Sequence, residues 1–191
     1  MIDYASRQQD SRWRPLALSL VCIGVAARLL PHWPNFTPVG ASGLFAGARL
    51  RGWRAFIVPL LAMAVSDPLL AAIYGFRPFT RMTVFVYASF LINVLIGRAL
   101  RASERPQRIV PAALLGSVQF FVITNFGVWM LGHGLSHDAL GLLECYVVAL
   151  PFFTATVAGD LFYAAVLFGL HAWLTRRAFP QERVRRGVFA A

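Results

Sequence analysis

The sequence predicts an all-α protein, a polytopic membrane bundle of about six transmembrane helices. Three observations lead there. Of the 191 residues, 58% are hydrophobic and only 14% charged, with a mean hydropathy of +0.63; a soluble domain of this length needs more charge to cover its surface. The apolar residues gather in runs close to the roughly 20 residues that cross a bilayer core about 30 Å thick. The arginines fall between those runs, and they do so unevenly.

The apolar runs occupy residues 15–30, 36–50, 53–74, 82–100, 110–131 and 153–175. Residues 1–14 form a short N-terminal segment, 15–175 the membrane domain and 176–191 an Arg-rich tail. The first run has the arginines of a secretory signal before it and Val25-Ala26-Ala27 near its end. Because further apolar segments follow, it is expected to stay in the membrane as the first span. The second run is short and rich in small residues; Gly43 and Gly47 make a GxxxG face, which lets helix backbones approach closely in lipid. Residues 138–152 hold Glu144 and end at Pro151. Counted as a further span they would reverse the side of the tail, so they are expected to form a re-entrant or outer-surface helix leading into the last span.

Counting arginines sets the expected orientation. The net charge of +10 is carried by arginine alone, for the chain has no lysine. With the N-terminus inside, fifteen arginines lie on the inner side: Arg7, Arg12, Arg14, Arg49, Arg51, Arg54, Arg98, Arg101, Arg105, Arg108, Arg176, Arg177, Arg183, Arg185 and Arg186. Only Arg28, Arg77 and Arg81 lie outside. The positive-inside rule therefore places both termini in the cytoplasm. The same scatter argues against nucleic acid, because no continuous basic patch forms and no recognition motif accompanies the arginines. The lipid bilayer is the expected partner.

Several chemistries lack their signatures. There is no GxSxG, no HExxH and no Walker A sequence, so neither an enzyme nor ATP use by this chain is expected, and no cofactor is implied. Cys22 and Cys145 lie far apart and match no zinc or redox spacing. His133, His137 and Asp138 have a spacing compatible with a metal, but the glycine-containing loop between them makes a weak site, and no metal is expected.

An ionisable group inside a membrane costs several kcal/mol unless it faces a cavity or a partner, so such residues are functional candidates. At about 1.5 Å of rise per residue, Asp67, Tyr87, Asn125 and Asp160 all fall in the outer third of their spans, and Arg28 closes the outer end of the first. The loop that follows, 31–38, holds three prolines, which bar helix and stiffen a turn carrying His32, Trp33 and Asn35. Polar groups from several helices at one depth describe a pocket open to the outside, lined by Arg28, His32, Asn35, Asp67, Tyr87, Asn125 and Asp160. The competing expectation is that Asp67 pairs with Arg28 or Arg81 and locks the bundle. A weak echo links 59–75 with 151–169, each with a proline followed by an aspartate eight or nine residues on.

The stretch Arg28 to Ala41 (RLLPHWPNFTPVGA) resembles a family of small bacterial inner-membrane proteins of unassigned function. So do Pro59…Ser66-Asp67, Val86-Tyr87-Ala88-Ser89-Phe90, Thr124-Asn125-Phe126-Gly127-Val128-Trp129 and Cys145-Tyr146…Gly159-Asp160-Leu161. The resemblance covers residues 26–170. By size, topology and outward polar cluster, that group is similar to the S components of energy-coupling factor (ECF) vitamin transporters. The resemblance implies a bacterial inner-membrane protein that binds a small solute or vitamin from the outer side, with an energy-coupling transmembrane subunit and ATPases as partners. The chain departs from the AxxxA docking face of those proteins, offering only Leu20-xxx-Gly24 and Ser19-xxx-Ile23-xxx-Ala27 in its first span. A solitary transporter is the alternative. Two rivals from other classes are a membrane enzyme using Asp67 and Asp160 as acid and base, and a non-transporting assembly subunit.

Overall fold

The computed structural model describes residues 14–31, 33–101, 103–132 and 134–182. Among these residues the structure is all helix, with six α-helices and no strand: α1 (Pro15–Ala26, continued by a 3-10 turn Ala27–Leu29), α2 (Val39–Arg49), α3 (Arg54–Tyr74), α4 (Arg81–Arg98), α5 (Pro106–Met130) and α6 (Ala139–Arg177). A last 3-10 turn covers Pro180–Glu182. The helices α3 to α6 are long and apolar enough to cross a membrane, and α1 with its 3-10 turn is a shorter apolar helix. The outward side of α3 shows the solvent it is built for. Ile57, Leu61, Val65, Leu69 and Ile73, four residues apart on one face, are all exposed, where a soluble helix would carry polar groups.

The predicted second span requires correction. α2 has 11 residues, about 16 Å of helix, too short to cross a bilayer core alone. It nonetheless leads from the 30–38 loop to the arginine-rich end as the axis of the bundle, touching each of the other five helices, and every residue from Ala41 to Arg49 is buried. Small side chains make this possible. A Cβ on Gly47 would collide with the Val94 carbonyl of α4, and one on Gly97 would collide with the Leu44 carbonyl of α2. Gly43 lies against Phe90, whose ring would sit 3.3 Å from an added Cβ. The GxxxG face read from the sequence is thus the α2–α4 crossing, where backbone meets backbone.

The last helix departs further from expectation. α6 runs unbroken for 39 residues through Pro151, so 138–152 is not a re-entrant segment but the first part of the same helix. Its length, about 58 Å, exceeds a bilayer core. The Tyr146 hydroxyl donates to the Val122 carbonyl (2.7 Å) and the Ser117 hydroxyl to Asp160 (2.7 Å). Between these two contacts α5 advances by about 7.5 Å and α6 by about 21 Å. Between the two contacts Phe153 of α6 still packs on Phe121 of α5, ring centroids 4.7 Å apart, and Pro151 in the same stretch removes one helical hydrogen bond.

The two ends of the bundle differ in chemistry. One holds the loops 30–38, 75–80 and 131–138. The other is rich in arginine, yet not all of its charge is a solvated fringe. Arg49 is 1% exposed; its guanidinium donates to the carbonyls of Leu100 (3.3 Å) and Ser103 (2.8 Å) and lies 4.9 Å from the Phe168 ring centroid. It fastens α2 to the α4–α5 connection and to α6. Glu182 is also 1% exposed and accepts hydrogen bonds from the backbone N–H groups of Leu16 (2.9 Å) and Ala17 (3.1 Å). These belong to the first turn of α1, whose own N-cap, Arg14, provides no side-chain cap. The carboxylate from the far end of the chain supplies it.

Candidate functional site

Three helix segments meet at Asp67. Arg28, in the 3-10 turn after α1, donates through Nη1 to Asp67 Oδ1 at 2.7 Å and to the Ser66 hydroxyl at 3.2 Å. The Tyr87 hydroxyl of α4 donates to Asp67 Oδ2 at 2.7 Å. Both carboxylate oxygens are therefore engaged, one by a cation and one by a phenol. Ser66 in turn donates to the Met63 carbonyl at 3.1 Å. The Arg28 side chain keeps 18% of its surface exposed and the Asp67 side chain 12%, so the ion pair is shielded but reachable. An apolar floor of Val25, Val39, Met63 and Phe90 lies in the same part of the bundle, with Tyr87 packed against it.

Asp160 sits elsewhere. It is 5% exposed and accepts from Ser117 through Oδ2, while its other face lies under the N-terminus of α2. A Cβ on Gly40 would collide with Asp160 Oδ1, and the Ala41 backbone N–H bonds to the same carboxylate. Pro38, the N-cap of α2, offers no side-chain cap, so Asp160 meets the free N–H groups and the positive end of the helix dipole. It borders a narrow crevice with Asn93 and Gly116. Asn93 lies six residues beyond Tyr87 on α4, about 9 Å nearer the arginine-rich end. The single polar level expected from the sequence is therefore two levels, with Asp160 on the deeper one.

The remaining candidates are spread out. Asn125 turns its side-chain amide onto its own helix, donating to the Phe121 carbonyl at 2.8 Å. Asn35 is exposed, with a positive φ of 61°. The Phe36 N–H donates to the Trp33 carbonyl at 3.0 Å across Pro34 and Asn35, the layout of a type II turn, in which asparagine tolerates the left-handed position. Phe36 then packs on Phe162 and Tyr163, and Gly159 lets the 36–37 backbone lie against α6. His32 lies outside the described residues. Asn35 thus stands in a loop and Asn125 within a helix. The sequence reading missed the partners Ser66 and Ser117, and also Asn93 and Gln119. Gln119 donates through Nε2 to Asn93 Oδ1 (3.1 Å) and to the Ser89 carbonyl (3.0 Å). Their signal was present, since both amides interrupt apolar runs.

In the 131–138 loop His133 lies outside the described residues, and Asp138 serves as the N-cap of α6. Its carboxylate accepts from the Gly141 N–H (2.7 Å) and the Ser136 hydroxyl (2.8 Å). These bonds, the Gly141 one foremost, hold the Asp138 carboxyl below its ordinary value of 3.8. A lowered folded-state value makes the contribution to stability complete above the ordinary carboxylate value and lost as the pH falls through the lower one. Asp138→Asn is expected to lower the melting temperature in detergent at neutral pH and to converge on wild type at low pH, which flattens the acid limb of the profile. An unchanged acid limb would assign that sensitivity to other carboxylates.

Neither a curated protein nor a solved structure matches the chain. Residues 8–182 match the profile described as "Family of unknown function (DUF6580)", which spans all six helices and every candidate residue above, and the chain belongs to that family.

Proposed function

We propose that the protein is a substrate-binding membrane transporter, similar to an ECF S component, that takes up a small polar solute or vitamin from the side of the loops 30–38, 75–80 and 131–138. The termini lie on the opposite, cytoplasmic side of the bacterial inner membrane, as the arginine distribution favours. The observation that carries the reading is the Arg28–Asp67–Tyr87 cluster. Three helix segments contribute one polar group each near one end of the bundle, and the ion pair is not sealed. A ligand carboxylate can replace Asp67 on Arg28, or a ligand amine or hydroxyl can replace Arg28 on Asp67, at little net loss of hydrogen bonding. Asp160 and the 31–38 loop support α2 behind this cluster. Coupling to an energising subunit and its ATPases is part of the resemblance, with unassisted transport as the alternative.

Asp67→Asn and Arg28→Gln are the tests. Mass spectrometry of extracts from the purified wild-type protein should identify a copurified polar solute, and proteoliposomes should accumulate it. Each variant should lose at least about tenfold in binding, equivalent to about 1.4 kcal/mol, while remaining folded. Tyr87→Phe should lose less, since one neutral donor is removed. If both charge variants keep wild-type uptake and instead lose about 3 kcal/mol of stability, the pair is a lock for α1 against α3.

A further inference from the structure

At the arginine-rich end α5 and α6 part to leave a groove of about 240 Å³. Its walls are apolar: Ile109 and Val110 on α5, and Ala164, Ala165, Phe168 and Gly169 on α6. Gly169 leaves its place open, for a Cβ there meets nothing within 4 Å. The volume is about eight times the share of one liquid water molecule. That is room for part of an alkyl chain, and far too narrow for a helix about 10–12 Å across with its side chains. Val110 and Val166 beside the groove are exposed, so it opens on the side of the bundle that meets lipid.

The charge lies at one end of this groove. Arg105, the N-cap of α5, stands in the chain between the lining residues Glu104 and Pro106, and Arg176 follows Ala172 by four residues, one turn further along α6. Arg105 is exposed, and the Arg176 side chain is 60% exposed. Glu104, also at the mouth, approaches Arg176 only loosely, at 3.9 Å. Two cations against one anion leave the mouth positive. An apolar slot in lipid with a positive mouth at a bundle end has the two-part chemistry of a phospholipid: a chain in the slot and a phosphate at the mouth.

We propose that the α5–α6 groove binds an anionic phospholipid, with one acyl chain along Gly169 and its phosphate against Arg105 and Arg176. The site lies at the opposite end of the bundle from Asp67 and stands independently of the solute reading. Chain burial discriminates little between lipids, since the alternative environment is also lipid. The headgroup sets the preference, at about fivefold per arginine near the surface and about tenfold overall once Glu104 is counted.

The test is competitive retention of phosphatidylglycerol against phosphatidylcholine of the same chain length on the full chain, read by native mass spectrometry from mixed micelles. Wild type should retain phosphatidylglycerol about tenfold better. The Arg105→Gln/Arg176→Gln variant should lose the preference, whereas Arg51→Gln, a basic residue at the same end off the groove, should keep it. Gly169→Leu fills the slot and should lose retention of both lipids with unchanged helical circular dichroism. Should that variant misfold, the arginine pair at the exposed mouth still decides the matter. An undiminished preference in the arginine pair overturns the proposal. So does competition by soluble glycerol phosphate as strong as by the lipid, which would place an anion at the arginines without a chain in the groove. Dissociation of an oligomer by Gly169→Leu would overturn it too, by making the groove an interface between copies.

Discussion

Gly47→Ala is expected to lower stability by about 2–3 kcal/mol, read as a fall in melting temperature and in yield of folded protein in mild detergent. The added methyl would collide with the Val94 carbonyl, a backbone atom held in its own helix, so no side chain can rotate away. Relief requires α2 and α4 to separate, and α2 touches every other helix. The higher helix propensity of alanine offsets about 1 kcal/mol of this loss. Gly97→Ala strikes the same crossing from the other side, at the Leu44 carbonyl. The double variant should cost less than the sum of the two, because helices already forced apart accept the second methyl. Gly169→Ala, which places its methyl in open space, should leave the fold intact. A neutral Gly47→Ala would mean that the α2–α4 crossing is looser than its geometry.

Asp160→Ala should lose about 2–4 kcal/mol, combining the first turn of α2 left uncapped with the Ser117 hydroxyl left buried without its acceptor. Asp160→Asn keeps the shape but presents amide hydrogens toward the α2 N–H groups in one of its two orientations, so it should fall between Ala and wild type. Ser117→Ala removes only the donor and should cost about 1 kcal/mol. A double-mutant cycle between Asp160→Ala and Ser117→Ala should show clear coupling. Solute binding, measured on whatever fraction stays folded, separates two roles. A capping carboxylate reduces the amount of active protein, whereas a ligand-binding one reduces affinity. Full stability in Asp160→Ala would rule out the capping role.

Much of this architecture is legible along the chain because the relevant physics is local. Runs of apolar residues and the arginines between them specify where helices begin and end, and five of the six expected starts fall within about four residues of the observed ones. The close α2–α4 approach follows from two glycines four apart. Arg28 and Asp67 were both singled out, and Arg28 was one of the two partners expected for a locking pair. Where the reading failed, a local signal pointed the wrong way. Pro151 and Glu144 look like an interruption at 138–152, but a proline inside a membrane helix is tolerated when packing and neighbouring groups compensate for the lost bond. Arg49 counts as an interface charge by position, yet it is buried against backbone carbonyls.

The sequence by itself determined the helical membrane class, the small-residue character of the second helix and the set of polar residues placed among apolar ones. Only the tertiary structure decided how those polar residues divide: Arg28, Asp67 and Tyr87 into one cluster, Asp160 beneath α2, Asn125 onto its own helix. It also decided that Asp160 and Glu182 cap helices distant from them in sequence, α2 and α1. The physical reason is one of range. Apolar periodicity and backbone sterics act over a few residues and leave a mark at each position. A carboxylate meeting a helix N-terminus 119 or 166 residues away is fixed by how the helices pack, and packing leaves no mark on the residues that it brings together.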